Sequence, residues 1–287
     1  MKQVKTIVAK VLCFDSLGAD LFTFSVSRPP EMGAVPGQFA MVGVPGHTLR
    51  RPISIALDKD GSPNPPVEGE YRFYVRAAGK GTEDLREHVA LLKPIELSGP
   101  HGNGFPLAGE WEKRRWLLVG GGIGLAPLIG IAARSHSYPP VCVIGSNTIG
   151  EAMRWRSIIG QYLSGGNITN AVMDMKNRED FVNAFGAHAF RGNTAEGLAD
   201  YFAQNPEVGF DVAYVCGPKK MIESVAEVLR KAKIPSFVSL EERMACGVGS
   251  CCSCAIPGTD NEQGVPLHVC KDGPVFPMKT ILENIRS

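Results

Sequence analysis

Short runs in which apolar and polar residues alternate extend from residue 3 to about residue 107. Alternation with a period of two indicates strands that bury one face, and glycine and proline mark the turns between them, as in Val-Pro-Gly at 35–37 and 44–46. Regularly spaced short strands favour an antiparallel β-barrel. The predicted strands are Lys5–Cys13, Leu21–Ser27, Phe39–Val44, Arg51–Leu57, Glu70–Arg76 and Glu96–Gly99.

One helix interrupts this pattern. Leu85, Val89 and Leu92 are spaced three and four residues apart, which predicts a helix over Thr82–Leu92 with Thr82 as its N-cap. The segment Asp58–Gly69 is long for a simple hairpin, and we interpret it either as a contact for a partner or as a tolerated surface insertion.

From about residue 108 the pattern changes to wholly apolar runs that alternate with segments of helical period. Apolar runs of this kind are typical of buried parallel strands, and their alternation with helices predicts a doubly wound α/β sheet. The predicted strands are Trp116–Val119, Val141–Ile144, Thr169–Met173 and Val212–Val215, and the predicted helices are Leu125–Ser135, Glu151–Leu163, Thr194–Ala203 and Lys219–Ala232.

Length and composition allow more than one domain. The chain has 287 residues, of which 44% are hydrophobic, and we divide it into domains at 1–107, 108–238 and 239–287. A net charge of +1 gives no support for binding to nucleic acid or to a membrane surface, and no run of 18 apolar residues predicts a membrane span. The N-terminus alternates like a strand, unlike a secretion signal. Cys13, Cys142 and Cys216 fit buried reduced thiols, so we expect a cytoplasmic protein.

Five of the eight cysteines lie within 25 residues near the C-terminus. Cys246, Cys251 and Cys254 form the spacing C-x4-C-x2-C, and Cys270 follows. This is the spacing with which plant-type ferredoxins hold a [2Fe–2S] cluster. The glycines inside the motif allow backbone N–H groups to approach sulfur. Three alternatives are a zinc site, which usually uses two C-x2-C pairs, a disulfide cluster, and cysteines that act only as small apolar residues.

Two segments of the first domain suit anion binding. Arg50 and Arg51 precede Pro52, Ile53 and Ser54, so a guanidinium could clamp a phosphate while the strand edge contacts a planar ring. Gly79-Lys80-Gly81-Thr82 begins the predicted helix, and free N–H groups at a helix N-terminus attract anions. A surface arginine pair and a plain turn are the simpler interpretations of the two segments taken separately.

The second domain begins with a strand that runs into Gly120-Gly121-Gly122-Ile123-Gly124-Leu125-Ala126-Pro127. A glycine-rich turn between a strand and a helix is where a dinucleotide pyrophosphate binds, although the strict G-x-G-x-x-G pattern fails here. The segment Gly145–Thr148 carries no lysine or arginine, which favours NAD over NADP, unless Arg154 or Arg156 supplies the charge. Cys216, at the end of the last strand, could face the nicotinamide or be a buried structural thiol.

Taken in order, these motifs and Cys216-Gly217-Pro218 resemble those of the ferredoxin–NADP reductase superfamily. The C-terminal segment from Glu241 to Cys254, with His268–Phe276, resembles the electron-transfer subunits of two-subunit (B-type) dihydroorotate dehydrogenases, as does Gly99–Phe105. Without that resemblance, Gly99–Phe105 is either backbone lying against a ligand or cluster, or an interdomain linker. One departure from the family pattern is Cys252, a further thiol between two expected ligands, and another is the segment Asp174–Arg178 after the third strand of the second domain.

The resemblance implies an FAD-binding barrel, an NAD-binding domain and a [2Fe–2S] module. It implies that electrons pass from dihydroorotate, oxidised at FMN in a separate catalytic subunit, through the cluster and FAD to NAD⁺ in pyrimidine biosynthesis. The implied assembly is a heterotetramer with two of each subunit. The implied FAD contacts are Arg51, Pro52, Ile53, Ser54, Tyr74, Val75, Arg76, Gly79, Gly81 and Thr82; the nucleotide contacts are Gly120, Gly121, Gly122, Gly124, Pro127, Cys216, Gly217 and Pro218; and the cluster ligands are Cys246, Cys251, Cys254 and Cys270.

Two other functions stay open at this point. One is an NAD(P)H-linked flavin and iron–sulfur subunit of a hydrogenase, ferredoxin or sulfur-reductase complex. The other is a zinc-stabilised binding module, which would be colourless. Paired carboxylates and Ser-His-Asp arrangements do not stand out, and we interpret all six histidines as ordinary surface or loop residues. The protein is therefore expected to position cofactors and to supply no catalytic side chain of its own.

Overall fold

The computed structural model describes residues 5–59, 62–63, 66–67, 69–107, 114–134, 138–163, 167–174, 189–257 and 265–285. The chain divides into two compact units. The boundary predicted at residue 107 lies close to the change of unit between Gly104 and Phe105, whereas the predicted third domain is shared between the units. The first unit comprises Met1–Gly104, Glu242–Ile256 and Pro266–Pro274, and the second comprises Phe105–Glu241, Pro257–Val265 and Val275–Ser287.

The first unit contains two four-stranded antiparallel sheets, with strand orders β1-β10-β4-β5 and β2-β3-β9-β6. Its described residues also form two small two-stranded sheets, β7-β8 and β17-β18, a 3-10 turn at Pro30–Met32 and the helix α1 (Lys80–Ala90). The strands are β1 (Thr6–Ala9), β2 (Val11–Ser16), β3 (Leu21–Arg28), β4 (Phe39–Val42), β5 (Arg51–Ser54), β6 (Leu57–Lys59), β7 (Ser62–Pro63), β8 (Pro66–Val67), β9 (Gly69–Arg76), β10 (Ile95–His101), β17 (Ala255–Ile256) and β18 (Leu267–His268).

Aromatic residues fill the core of this unit. Phe22 and Phe24 of β3 are fully buried, and Phe24 stacks on Phe73 of β9 with 5.0 Å between ring centroids. Burial of such large apolar side chains is the main favourable contribution to folding. A buried ion pair lies beside this core, because Arg28 Nε donates to Asp58 Oδ1 at 2.5 Å and both side chains are nearly inaccessible.

The predicted antiparallel β architecture is confirmed, with three local corrections. The strand predicted over Lys5–Cys13 is two strands, because the extended segment is interrupted at Lys10, and β1 and β2 join different sheets. The strand predicted over Arg51–Leu57 is likewise divided between β5 and β6. The helix begins at Lys80 and not at Thr82, so the prediction of Thr82 as N-cap was wrong; Gly79 occupies that position.

The described residues of the second unit form a seven-stranded sheet of order β14-β13-β12-β11-β15-β16-β19, parallel except that β19 runs antiparallel to β16. This confirms the predicted doubly wound α/β sheet, and the wholly apolar β11 and β15 are buried at its centre. Its elements are β11 (Trp116–Gly121), α2 (Ala126–Ala132), β12 (Val141–Thr148), α3 (Ile149–Gly160), β13 (Ile168–Asp174), β14 (Ala189–Arg191), α4 (Thr194–Gln204), β15 (Val212–Cys216), α5 (Lys219–Lys231), β16 (Ser236–Ser239), β19 (Val275–Pro277) and α6 (Met278–Ile285).

Sequence analysis did not predict the strands β14, β16 and β19 or the helix α6 of this unit. The segment Asp58–Gly69 contributes three residues to β6 and β9 and four residues to the hairpin β7-β8. Its other residues, 60, 61, 64, 65 and 68, lie outside the described residues. Most of Asp174–Arg178 also lies outside them. Over the described part of the chain, no helix is long and apolar enough to cross a membrane.

Candidate functional site

The two predicted anion-binding segments of the first unit meet in space. Arg51 begins β5, and its guanidinium lies over Gly81 in the first turn of α1; a Cβ at Gly81 would be 2.3 Å from Arg51 Nη2. Thr82 Oγ1 accepts a hydrogen bond from Ala78 N at 3.0 Å and donates one to Gly79 O at 2.9 Å, which fixes the entry into the helix. A fixed cation and the free amides of a helix N-terminus therefore face the same space, an arrangement that suits a phosphate.

Arg51 also contacts a histidine that sequence analysis interpreted as an ordinary surface or loop residue. Arg51 Nη2 lies 3.0 Å from His47 Nδ1, and His47 Nε2 lies 2.7 Å from Asp84 Oδ2 on α1. His47 is therefore part of the network around the predicted phosphate clamp. The hydrogen bond to His47, followed by one to Lys80, lowers the pKa of Asp84 and keeps it ionised.

The other predicted flavin contacts lie on β5 and on the end of β9, two strands that contact each other. Ile53 is buried, while Pro52 and Ser54 keep part of their surface exposed. Tyr74 and Val75 are buried in β9, and Arg76, at its end, pairs with Asp20 at 3.3 Å. These strands thus place a partly open strand edge beside the Arg51 clamp, as a planar ring with a phosphate tail requires.

Backbone amides point at the sulfur atoms of the C-terminal cysteines. Val248 N and Ser250 N donate to Cys246 Sγ at 3.4 and 3.3 Å, and Gly249 N donates to Cys270 Sγ at 3.1 Å. The turn is possible because Gly247 and Gly249 adopt φ values of +73° and +81°, which side chains disfavour. Amides directed at sulfur stabilise thiolates and the metal clusters that thiolates hold.

The four predicted ligands form two pairs. Cys251 is a close neighbour of the Cys246 thiol and Cys254 is a close neighbour of the Cys270 thiol, while Cys270 N donates to Cys254 Sγ at 3.4 Å. Among the described residues, no group of three or more His, Cys, Asp or Glu side chains is arranged to hold a single metal ion. Two thiol pairs fit a cluster of two irons, each bound by two thiolates.

The electrostatics of the two pairs differ. Partial burial raises the pKa of Cys246, but this is outweighed by hydrogen bonds from the amides of Val248, Cys251 and Ser250 and from the Cys251 thiol, which lower that pKa to about 6. Burial, followed by the hydrogen bond and charge of Cys254, raises the pKa of Cys270 to about 12. Ligation to a metal would therefore release a proton from Cys270, whereas Cys246 is already largely a thiolate at neutral pH.

Cys252 differs from its neighbours. Its side chain is exposed, its backbone has φ of +57°, and its Sγ lies 3.4 Å from His268 Nε2. The Asp272 carboxylate lies 3.6 Å from the other ring nitrogen of His268. Cys252 thus faces an imidazole, whereas the spacing-matched cysteines face one another, which agrees with its exclusion from the predicted ligand set.

The segment Gly99–Phe105 packs against the C-terminal cysteine segment. A Cβ at Gly102 would lie 2.5 Å from Gly273 O, and Asn103 N donates to that same carbonyl at 2.6 Å. His101 is buried and bonds Ser98 Oγ through Nε2 at 2.8 Å, and its ring lies beside Gly247, since a Cβ at Gly247 would be 3.4 Å from His101 Cε1. This corrects the interpretation of all histidines as surface or loop residues, and it favours backbone lying against a cluster over a linker.

In the second unit, the glycine-rich turn lies against the end of β15. A Cβ at Gly124 would be 2.7 Å from the backbone of Cys216 and from Gly217 Cα, and a Cβ at Gly121 would be 2.4 Å from Met221 Sδ. Residues Gly122–Leu125 form a 3-10 turn that leads into α2, which contains Pro127, and Pro218 caps α5. The predicted nucleotide contacts are therefore brought together at the carboxyl edge of the sheet.

The thiol of Cys216 is buried, and burial, followed by the charge of Glu241, strongly raises its pKa. A thiol held neutral in this way fits the interpretation as a structural residue better than a chemical role. Arg156, considered as a charge for a 2′-phosphate, donates to Ile168 O at 2.8 Å. The predicted preference for NAD stays a prediction.

Known proteins resemble this chain in sequence and in fold. Residues 241–282 match the family model of the iron–sulfur cluster binding domain of dihydroorotate dehydrogenase B. The fold is shared with the NADH-dependent reduced ferredoxin–NADP oxidoreductase, at a TM-score of 0.71 and 23% identity over 97% of this chain and 93% of that one. It is also shared with a ferredoxin NADP⁺ reductase from Neisseria gonorrhoeae, at a TM-score of 0.56 and 16% identity over 79% of this chain and 91% of that one.

Curated relatives cover most of the chain. The dihydroorotate dehydrogenase B (NAD(+)) electron transfer subunit of Geobacillus kaustophilus is 34% identical over 84% of this chain and 84% of its own length. The subunit of the same name from Streptococcus pneumoniae serotype 4 is 32% identical over 95% of this chain and 99% of its own. The resemblance first inferred from the motifs is confirmed, and the chain belongs to the family of dihydroorotate dehydrogenase B electron transfer subunits.

Proposed function

We propose that this chain accepts electrons from an FMN-containing dihydroorotate dehydrogenase catalytic subunit and delivers them through a [2Fe–2S] cluster and FAD to NAD⁺. The observation that carries the proposal is the pairing of four cysteines, with backbone amides directed at three of their sulfur atoms, in the same unit as a phosphate clamp of Arg51 and the α1 N-terminus. The proposal includes a cytoplasmic heterotetramer with two copies of each subunit that acts in pyrimidine biosynthesis.

For FAD, the proposed contacts divide by chemistry. Arg51, Gly79, Gly81 and Thr82 surround the space suited to the pyrophosphate, where the cation and helix amides converge. The partly exposed edge of β5 and the end of β9 would bind the flavin ring. The residues proposed for that ring are Pro52, Ile53, Ser54, Tyr74, Val75 and Arg76.

For the cluster, Cys246 and Cys251 would bind one iron, and Cys254 and Cys270 the other. The amides of Val248, Gly249 and Ser250 already point at two of these sulfurs, so the loop is organised to stabilise negative charge there. Cys252 is left out because its thiol faces His268.

For the nucleotide, the proposal assigns the glycine-rich turn of Gly120, Gly121, Gly122 and Gly124 with Pro127, together with Cys216, Gly217 and Pro218. A flavin exchanges two electrons as hydride or one at a time, whereas a [2Fe–2S] cluster carries one, so together they link a one-electron port to nicotinamide. The protein's own residues bind and orient the groups, and the glycine-rich turn packs against the backbone at the end of β15, where the buried Cys216 lies.

The first experiment asks which partner binds. A tagged chain is isolated from its native source, and the co-purifying subunit is tested for FMN and for dihydroorotate oxidation. We expect a dihydroorotate-oxidising partner, and we expect the chain alone to oxidise NADH with artificial acceptors but to leave dihydroorotate untouched. A hydrogenase or ferredoxin-linked partner, or a colourless chain without iron, would contradict the proposal.

The second experiment tests the ligand assignment with a matched pair of variants. We expect Cys251→Ser to lose most of its iron and acid-labile sulfide, because it breaks one thiol pair. We expect Cys252→Ser to keep both, because that thiol contacts His268. Equal losses in the two variants would overturn the assignment.

A further inference from the structure

Three side chains form a continuous chain from the proposed phosphate clamp to the body of α1. Arg51 Nη2 contacts His47 Nδ1 at 3.0 Å, and His47 Nε2 contacts Asp84 Oδ2 at 2.7 Å. His47 lies in the loop between β4 and β5, and Asp84 lies one turn into α1. The chain therefore ties together the two elements that contribute to the clamp.

The chemistry of these contacts fixes the tautomer of the His47 ring. A guanidinium has only donors, so His47 Nδ1 must accept the hydrogen bond from Arg51. The proton of the neutral ring is then on Nε2, from which it is donated to the Asp84 carboxylate. The hydrogen bond from Arg51 to His47 therefore depends on the orientation of the His47 ring, and the hydrogen bond from His47 to Asp84 holds that orientation.

The environment favours this arrangement. The side chains of His47 and Asp84 are about one-fifth and one-quarter exposed, so water competes only in part for their bonds. Asp84 Oδ1 also accepts a hydrogen bond from Lys80 Nζ at 3.2 Å, which holds the carboxylate from its other side. Arg51 Nη1 in addition donates to Leu49 O. His47 provides the link between this arginine and α1.

We propose that His47 and Asp84 are positioning residues that hold the Arg51 guanidinium over the N-terminus of α1, where it receives the pyrophosphate of FAD. This inference rests on the proposed function, because it takes Arg51 as the FAD clamp. A long flexible side chain loses conformational freedom when it grips a ligand, and a partner that orients it beforehand reduces that cost. His47 and Asp84 thus raise the affinity for FAD without contacting FAD themselves.

The test uses the complete chain, with FAD removed and then titrated back while flavin fluorescence is measured. We expect Arg51→Ala to weaken FAD binding strongly, and His47→Ala to weaken it about tenfold or more, as for a lost hydrogen bond to a charged group. His47→Asn should restore most of the affinity, because its amide oxygen can accept from Arg51. Asp84→Asn should give an intermediate loss.

A double-mutant cycle separates positioning from a general structural effect. In an Arg51→Ala background, His47→Ala should cause no further loss of FAD affinity, because its effect acts through the arginine. His88→Ala serves as the control, since His88 lies on α1, as Asp84 does, but its Nε2 contacts Pro94 O. It should leave affinity unchanged.

The outcomes also distinguish this inference from the proposed function. If Arg51→Ala binds FAD like the unmodified chain, the clamp itself is wrong. If Arg51→Ala weakens binding while His47→Ala does not, or if the two losses simply add, the clamp stands and the positioning role fails. Thermal unfolding of each FAD-free variant, compared with the FAD-free unmodified chain, shows whether a loss of affinity arises from a destabilised fold.

Discussion

Replacement of Gly81 by alanine should weaken FAD binding while leaving the fold intact. The added Cβ would lie 2.3 Å from Arg51 Nη2, 2.4 Å from Nε and 2.7 Å from Cζ. Carbon contacts are ordinarily about 3.5 Å or longer, so the guanidinium must move by about 1 Å. It is the end of a flexible side chain and can move, but only by leaving the position from which it reaches a phosphate.

Gly81→Ala should leave the fold as stable as before or more stable, and it should weaken the binding of FAD. Alanine in place of glycine in a helix adds about 0.5–1 kcal/mol of stability, which offsets the strain of moving Arg51. A charge-assisted hydrogen bond is worth about 1.5–3 kcal/mol, so its loss corresponds to an increase of about 10- to 100-fold in the Kd for FAD. We therefore expect a melting temperature for the FAD-free chain equal to or above that of the unmodified chain, together with weaker flavin binding.

Gly209→Ala provides a control at a glycine that lies in the second unit and outside the proposed FAD contacts. A Cβ at Gly209 would have no atom within 4 Å. The Kd for FAD is measured by fluorescence titration for both variants, and the melting temperature by circular dichroism. Unchanged affinity in Gly81→Ala, or equal losses in both variants, would refute the placement of the pyrophosphate beside Arg51.

Three further predictions address other parts of the chain. Gly124→Ala should raise the KM for NADH about tenfold with flavin and iron contents unchanged, because its Cβ meets rigid backbone at 2.7 Å, whereas Gly150→Ala meets no atom within 4 Å and should behave normally. Asp58→Ala should cost about 3–5 kcal/mol in urea denaturation, because it leaves the buried Arg28 without its counter-charge. Burial lowers the pKa of His101 below its ordinary 6.5. Just below pH 6.5 the unfolded chain therefore binds more protons than the folded chain, and the free energy of unfolding decreases as the pH falls. Denaturation at a series of pH values should show a smaller decrease for His101→Leu.

The sequence predicted the strands and helices best where their apolar pattern was long. The central strands β11 and β15 and the amphipathic α5 were found close to their observed bounds, because their burial depends on their own residues. The short strands β16 and β19 were missed. Each is only three or four residues long, and they pair with each other although about 40 residues separate them along the chain, so their local pattern carries little information.

The candidate site was predictable to the same degree. The cysteine spacing and the glycine-rich turns are local patterns, and the structure brings their members together as expected. His47 and His101 were missed because a single histidine has no spacing to detect, and because its role depends on which distant residue it meets. For His101 a signal was present in the glycines around it, whereas no comparable motif surrounds His47.

The glycines of the motifs predicted where each site lies but not which residue approaches it. At Gly81, Gly124 and Gly247 the space of a Cβ is taken by Arg51, by the backbone of Cys216 and by Met41, respectively. Each of these neighbours is far away in sequence, so the motif records only that something must approach closely. What approaches is a cation in the first case, a strand end in the second and a core side chain in the third. The chemistry of each site therefore follows from the tertiary partner of its glycine, and substitutions at the partner test function more directly than substitutions within the motif.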